Sequence, residues 1–443
     1  MRPIGKLRLS VLILLGPTLW YGDKLLALED NSFNGSDTLR LGDVITSVLQ
    51  HNDRAAAARF MEKAAAAEIG PAGAWDDPML MLGVQNLPTS FKFDEDPMTM
   101  KMVGLSQRIP YAGQKGLQGK ASRASAEAAR EEAKGTVLEL VTAAKLTYFN
   151  LYYQRQSLEF VFAQREIQKE ILASVTARLR TDQASQADVA AAQADLWRLQ
   201  ADILSSEQDV AAAGNELLAL MGLEQGTQLP PLDDPDFASL SQPSETWLAN
   251  AEAYPALKKL KFQGDNYRYA ASAARRMRWP MMEFEGSYGF REDIPLDPES
   301  MAPAMKADNM VSFQVNLSLP IFSGRQQGNM ARSMEAMRLS AESEYDQMLR
   351  EVKSDLATLY SRAQRLAQSL TLYRDRIVPA DQDAYRSAFA SFATNRIPFS
   401  SLQMYALNIY RDKLMANQIA YELARTLAEA EKYLINPDIL SAQ

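Results

Sequence analysis

The stretch LSLPIFSGRQQG, Leu317–Gly328, echoes LSQRIPYAGQKG, Leu105–Gly116. Each reads as the end of a strand, then a proline, an aromatic, a small residue and a glycine, and then the start of a helix. The elements around each copy also recur in one order: helix, strand, strand, very long helix, helix. A repeated unit that cannot bury its own surfaces implies a stacked or closed assembly. By composition the chain divides into residues 1–27, a first repeat over 40–225, a linker over 226–243, a second repeat over 244–436 and a tail over 437–443. The linker belongs to the proline- and aspartate-rich run GLEQGTQLPPLDDPDFASLSQP (222–243), a composition of turns rather than of elements.

Working outward from the first junction, residues 41–69 read as an alanine-rich helix. Strands follow over Met79–Leu87 and Met98–Ile109. From Gly113 to about Leu179 there is neither proline nor turn cluster, so one helix of roughly 65 residues would span about 100 Å. After a break at Thr181–Ser185, a returning helix reaches Met221. Its apolar seam runs Val189, Ala192, Leu196, Leu199, Ile203, Ser206, Val210, Ala213, Leu217, Leu220. Spacing that alternates three and four is that of antiparallel coiled-coil packing. The second copy predicts a helix over Ser244–Arg278 and strands over Met281–Phe290 and Met310–Leu319. A long helix from Gly324 to about Ala393 follows, with the seam Leu349, Val352, Leu356, Leu359, Ala363, Leu366, Leu370, Tyr373, Ile377. Pro379 should kink that helix. Asn395 and Pro398 end the run, and a last helix extends to Leu434.

The strands of the second copy alternate. Glu283, Glu285, Ser287 and Gly289 interleave with Phe284, Gly286, Tyr288 and Phe290, and Ser312, Gln314, Asn316 and Ser318 interleave with Val311, Phe313, Val315, Leu317 and Leu319. One polar face and one apolar face, at close to the 9–11 residues of a barrel strand, suit a membrane wall. An ordinary half-buried sheet on a helix layer would show the same alternation. Helices of about 100 Å, however, cannot fold back as a globular layer over four short strands, so the strands sit at one end of a helical column. Four strands cannot close a barrel, and lipid does not tolerate an open edge. Several chains must then contribute, and three would give about twelve strands.

Composition narrows the function classes. The 443 residues carry a net charge of −8, and the pI of about 5.1 argues against nucleic acid. With no cysteine, disulfides, thiolate metal sites and lipid attachment at an N-terminal cysteine are excluded. The one histidine, His51, reads as a polar residue on the first helix, and so low a count argues against a histidine-based active site or zinc cluster. Phosphate-binding glycine loops and the HExxH zinc motif are absent, so no enzyme is predicted and no cofactor is called for. At the N-terminus Arg2, Lys6 and Arg8 precede an apolar run over Leu9–Trp20. That is the pattern of a signal peptide over 1–27, too short to span a bilayer; a retained anchor is the alternative.

On these residues the chain resembles the TolC family of outer-membrane efflux channels, over Leu41 to about Asn436. The resemblance rests on the duplicated order, on the long helices led by Gly113 and Gly324, and on the linker between halves. It implies a mainly α fold with a small membrane β part. Long antiparallel helical hairpins would form a periplasmic α-barrel, and four strands per chain would enter a shared twelve-stranded trimeric β-barrel. It also implies a homotrimer in outer-membrane lipid, a periplasmic adaptor (membrane fusion) protein and an inner-membrane efflux pump of RND type as partners. Within the family, DPMLMLGVQNLP (Asp77–Pro88) and DPMTMKMVGLSQRIPYAGQKG (Asp96–Gly116) are similar to the heavy-metal branch, which serves copper/silver or cobalt/zinc/cadmium resistance pumps. Export of drugs or other organic compounds and type I secretion are the alternatives within the family. A periplasmic coiled-coil scaffold without a pore is the alternative from another class.

The candidate residues fall in three groups. Met79 and Met81 share one strand face, and Met98, Met100 and Met102 share another. Thioethers suit soft Cu(I) but also serve as flexible apolar filler. If Lys101 points to the lumen, Met98, Met100 and Met102 turn outward. Glu283, Glu285, Gln314 and Asn316 would line the lumen, where threefold repetition makes a ring of charge or simply a wet wall. The hairpin tips, Leu179–Val189 and Phe392–Leu402, carry Arg180, Asp182, Asp188, Asn395, Arg396, Ser401 and Met404. The resemblance implies that these tips close the tunnel and bind the adaptor. It also implies an Asp188–Arg396 clasp between tips, Arg396 lying one position from the matching place. The family's acidic gate ring falls here at Ser401 and Met404, so a carboxylate ring is not expected.

Overall fold

The computed structural model describes residues 38–234, 247–248, 251–294 and 305–434. The segment 1–27, the linker from 235 on, the expected helix start at Ser244, the loop prolines Pro295, Pro298 and Pro303, and the tail 437–443 lie outside the described residues. The first expected helix is three: α1 (Leu41–His51), α2 (Asp53–Ala67) and α3 (Ile69–Gly73). Asn52 divides the first two because its extended backbone lets the side-chain oxygen accept from Arg54 N at 2.9 Å. Its amide nitrogen donates to Leu220 O at 3.1 Å. Asparagine is worth more as a cap than in a helix interior.

The strands are β1 (Met79–Gln85) and β2 (Met100–Ile109), then β3 (Met282–Arg291) and β4 (Met310–Leu317). They form one antiparallel sheet in the order β1-β2-β3-β4. Between β2 and β3 run α4 (Gln114–Leu179), α5 (Gln186–Met221) and α6 (Pro255–Arg276). After β4 come α7 (Gln327–Leu372), a single π-helical turn (Tyr373–Ile377), α8 (Val378–Ala393) and α9 (Phe399–Glu431). The 66 residues of α4 give about 100 Å of uninterrupted helix. Gly113 launches it with φ +81°, a left-handed turn that a side chain would strain. Ser185 and Asp188 cap α5 reciprocally: Asp188 N donates to Ser185 Oγ at 3.1 Å, and Ser185 N donates to Asp188 Oδ2 at 3.0 Å.

Both expected seams are the packed faces. Every seam residue of α5, and every one from Leu349 to Ile377, is buried or half-buried. Leu217 and Leu356 are fully buried. Near the middle of the column Tyr148 is buried with α1, α4 and α5 side chains, including Val44, Leu140 and Leu217. Its hydroxyl lies 2.9 Å from the carbonyls of both Leu39 and Asp233. That position ties the two ends of the first half together, and burial pushes the phenol up to about 12. The strands leave from one end of the helices, and the turns α4–α5 and α8–α9 meet at the other. There Ile171, Val175, Ala192, Ala388, Phe392, Phe399, Leu402 and Ala406 form one apolar cluster.

Candidate functional site

Two regions concentrate the predicted site residues: the sheet and the hairpin tips. In an antiparallel sheet, residues paired across strands lie on the same face. The pairs Ser106–Glu285–Gln314, Arg108–Glu283–Asn316 and Gly104–Ser287–Ser312 therefore define a polar face. The opposite face carries Leu80, Leu105, Gly286 and Phe313 on one rung and Leu82, Val103, Tyr288 and Val311 on the next. It is apolar and open, with Phe313 85 % exposed. Asn316 Nδ2 donates to Glu285 Oε1, and Gln314 Nε2 donates to Asn316 Oδ1, both at 2.7 Å. Arg108 and Glu283 stand 4.0 Å apart. The four expected wall residues thus share one hydrogen-bonded face.

The register corrects the expected facing of the methionines. Met79 pairs with Ser106, Met81 with Gly104, and Met100 with Gln85 and Arg291; Met102 pairs with Gly83 and Gly289. All four lie on the polar face, and Met310, opposite Gly289, joins them. Lys101 falls on the apolar face, opposite Val84 and Phe290. It stands near the strand's outer end, where its stem lies along apolar surface and its charge reaches the rim. There Nζ meets Glu292 Oε1 at 2.5 Å and lies 4.4 Å from the centre of the Phe93 ring. Sequence reasoning sent this lysine to water across the sheet, whereas water was available along it. Met98 lies outside β2, in a turn where its N donates to Asp96 Oδ1 at 2.7 Å, so strand alternation does not extend to it.

At the tips the structure selects a different partner from the one expected. Asp188 is occupied in the α5 cap, and among the described residues no ion pair joins it to Arg396, which is exposed. Within one chain, the tie between hairpins is Arg178. This residue is 8 % exposed and donates to the Phe392 carbonyl at 2.6 Å and to Asn395 Oδ1 at 2.5 Å. Its guanidinium also lies 4.2 Å from the Phe392 ring centre. Asn395 takes φ +62°, which turns its side chain toward the arginine; asparagine tolerates that left-handed backbone better than most residues. Asp182, at φ +54°, makes the corresponding turn after α4. Arg180 and Met404 are exposed, and Ser401 is half-buried in the first turn of α9. Arg178 was missed, although an arginine continuing the 171–175–178 apolar spacing of α4 was the available signal.

A second missed pair lies farther up. Asp381 on α8 and Asp412 on α9 face each other, and Asp381 is pushed up to about 6 by its hydrogen bond to Asp412, then by burial and mutual repulsion. Two ionised carboxylates offer only acceptors, and Asp381 Oδ2 is buried without a donor. The bond therefore exists when one of the two carries the proton. Among the described residues, no group of three or more histidine, cysteine, aspartate or glutamate side chains could hold a metal. No described helix is long and apolar enough to cross a membrane.

The family model described as outer membrane efflux protein matches residues 44–223 and 249–395. The chain belongs to this family. No curated protein sequence matches it. Among solved structures it is similar to CusC, at 16 % identity and a TM-score of 0.75, over 92 % of this chain and 95 % of that one. The outer-membrane channel CmeC of Campylobacter jejuni gives 16 %, 0.68, 89 % and 85 %. The outer-membrane protein VceC of Vibrio cholerae gives 15 %, 0.71, 88 % and 95 %. The fold is that of these channels: mainly helical, with long antiparallel hairpins and one four-stranded antiparallel sheet per chain. The protein is an efflux channel of the outer membrane, a duct without catalytic chemistry of its own.

Proposed function

We propose that three copies of this chain form the exit duct of a tripartite system that expels heavy-metal ions such as copper and silver. An inner-membrane transporter of RND type would supply the energy and a periplasmic adaptor would seat on the hairpin tips. The barrel lumen is then the polar face of Glu283, Glu285, Gln314 and Asn316. The tip residues Arg180, Asp182, Asn395, Arg396, Ser401 and Met404 surround the opening. The observation that carries the metal reading is the placement of Met79, Met81, Met100, Met102 and Met310 on that polar face with the two glutamates. Apolar filler belongs on the lipid side, whereas thioether sulfur on a wet wall is a soft ligand.

The test is deletion of the gene in its host, followed by growth on graded copper, silver, zinc, cobalt and cadmium with a dye-efflux control. Sensitivity to copper and silver with dye efflux intact is expected. Full metal tolerance with lost dye efflux would move the channel to export of organic compounds and overturn the metal reading.

A further inference from the structure

The rung of the sheet at Gly289 reads Gly83, Met102, Gly289, Met310 across β1 to β4 on the polar face. Strands lie about 4.8 Å apart, so Met102 and Met310 flank the bare Gly289 backbone with about 10 Å between their Cα atoms. Met100 stands one rung outward on β2, and its sulfur lies over the same glycine: a Cβ at position 289 would be 2.7 Å from Met100 Sδ. Met100 is 6 % exposed, whereas Met310 is 40 % exposed. One sulfur is therefore seated in the wall, and a neighbouring arm is free to swing over it.

We propose that Met100, Met102 and Met310 form a thioether site over Gly289 that takes a soft monovalent cation, Cu(I) or Ag(I). The inference deepens the metal-export reading and rests on it for the ion's source, but the binding itself stands on this geometry. Three neutral sulfurs cannot replace the hydration shell of a hard or divalent cation, whereas Cu(I) and Ag(I) favour soft donors. Arg291, the charged residue paired with Met100, is directed away along the loop. Its backbone N donates to Asn309 Oδ1 at 3.1 Å, and its guanidinium donates to the carbonyls of Asp308 and Pro97. Glycine at 289 is part of the site, because any side chain there would strike the seated sulfur. Three flexible methionine arms would then close over an ion without moving the backbone.

The experiment is titration of the detergent-solubilised trimer with Ag(I), with Zn(II) as the divalent control and X-ray absorption at the silver edge. Expected are sulfur-only coordination, no Zn(II) competition, and about tenfold or more weaker Ag(I) binding in M102L/M310L, the least that changes near a metal site commonly cost. Leucine keeps the volume, so an unaltered heat-modifiable trimer shows that the variant folds. Equal Ag(I) affinity in wild type and M102L/M310L, both trimeric, would overturn the site. Its failure separates from that of the export reading. Silver bound at sulfur in a channel whose deletion leaves the host metal-tolerant keeps the site and removes the substrate. No silver bound in a channel whose deletion sensitises the host removes the site alone.

Discussion

The two long arms of the molecule are built to different rules. The α4 arm runs from the sheet to the tip without interruption, whereas its counterpart is α7, one π turn and α8. Both bury residues at three–four spacing, Val137, Val141, Ala144, Tyr148 and Leu151 on α4 and Leu349 to Ile377 on its counterpart, so side-chain packing does not explain the difference. Pro379 does. It has no N–H to donate four residues back, and its ring would clash with that carbonyl. The wider π turn at Tyr373–Ile377 absorbs the misfit immediately before it. The Asp381–Asp412 pair lies just beyond, so the second arm joins a backbone irregularity to a titrating contact. The first arm is one continuous α-helix. The contrast gives each chain one continuous arm and one interrupted arm, joined at the tip by Arg178.

Removing the cause of the irregularity should have the largest effect. Pro379→Ala should relieve up to about 3 kcal/mol of local cost, the usual penalty of proline inside a helix. Hydrogen exchange at Tyr373–Ile377 should then slow toward that of the α4 arm. Unchanged exchange would mean that packing, not proline, holds the π turn.

Next in size is the joint. Arg178→Ala removes charged hydrogen bonds worth about 1.5–3 kcal/mol each and should raise exchange over residues 388–402 while leaving the helices near the sheet protected. Arg178→Lys should not restore protection, because an ammonium cannot span the Phe392 carbonyl and the Asn395 amide as the guanidinium fork does. Full protection in the lysine variant would show that charge alone is needed.

Smallest is the titration. The Asp381 carboxyl binds its proton more tightly folded than unfolded, so the α8–α9 contact is strongest in acid. It weakens as pH rises from about 4 to about 6. With solvent screening the effect should stay under about 1 kcal/mol. Asp381→Asn should abolish that slope in the thermal midpoint and leave the region near α4 unchanged. A slope that persists in the variant would assign the pH dependence to other groups.

Much of this was legible in the residues themselves. The seam of α5 was named position by position, because a period near 3.5 admits one buried face. Glu283, Glu285, Gln314 and Asn316 were placed together because β3 and β4 alternate cleanly. The strand β2 was harder. Methionine, valine and glycine occupy it beside Lys101, and neither set of alternate positions is clearly polar, so the lysine's charge pointed to the wrong face. Arg178 was harder for another reason: its partners lie 214 and 217 residues away, so its place on an apolar spacing signalled burial but not what it ties.

The sequence by itself determined the order of elements, the two-faced strands, the packed seams and the site of the helix irregularity. Each follows from local rules: side-chain period, glycine and proline backbone preference, and capping. Only the tertiary structure decided which face of β2 joins the polar wall, that Arg178 rather than Arg396 ties the tips within a chain, and that Asp381 meets Asp412. Those contacts depend on cross-strand register and on how two hairpins meet, and both are set by the balance of packing over the whole chain.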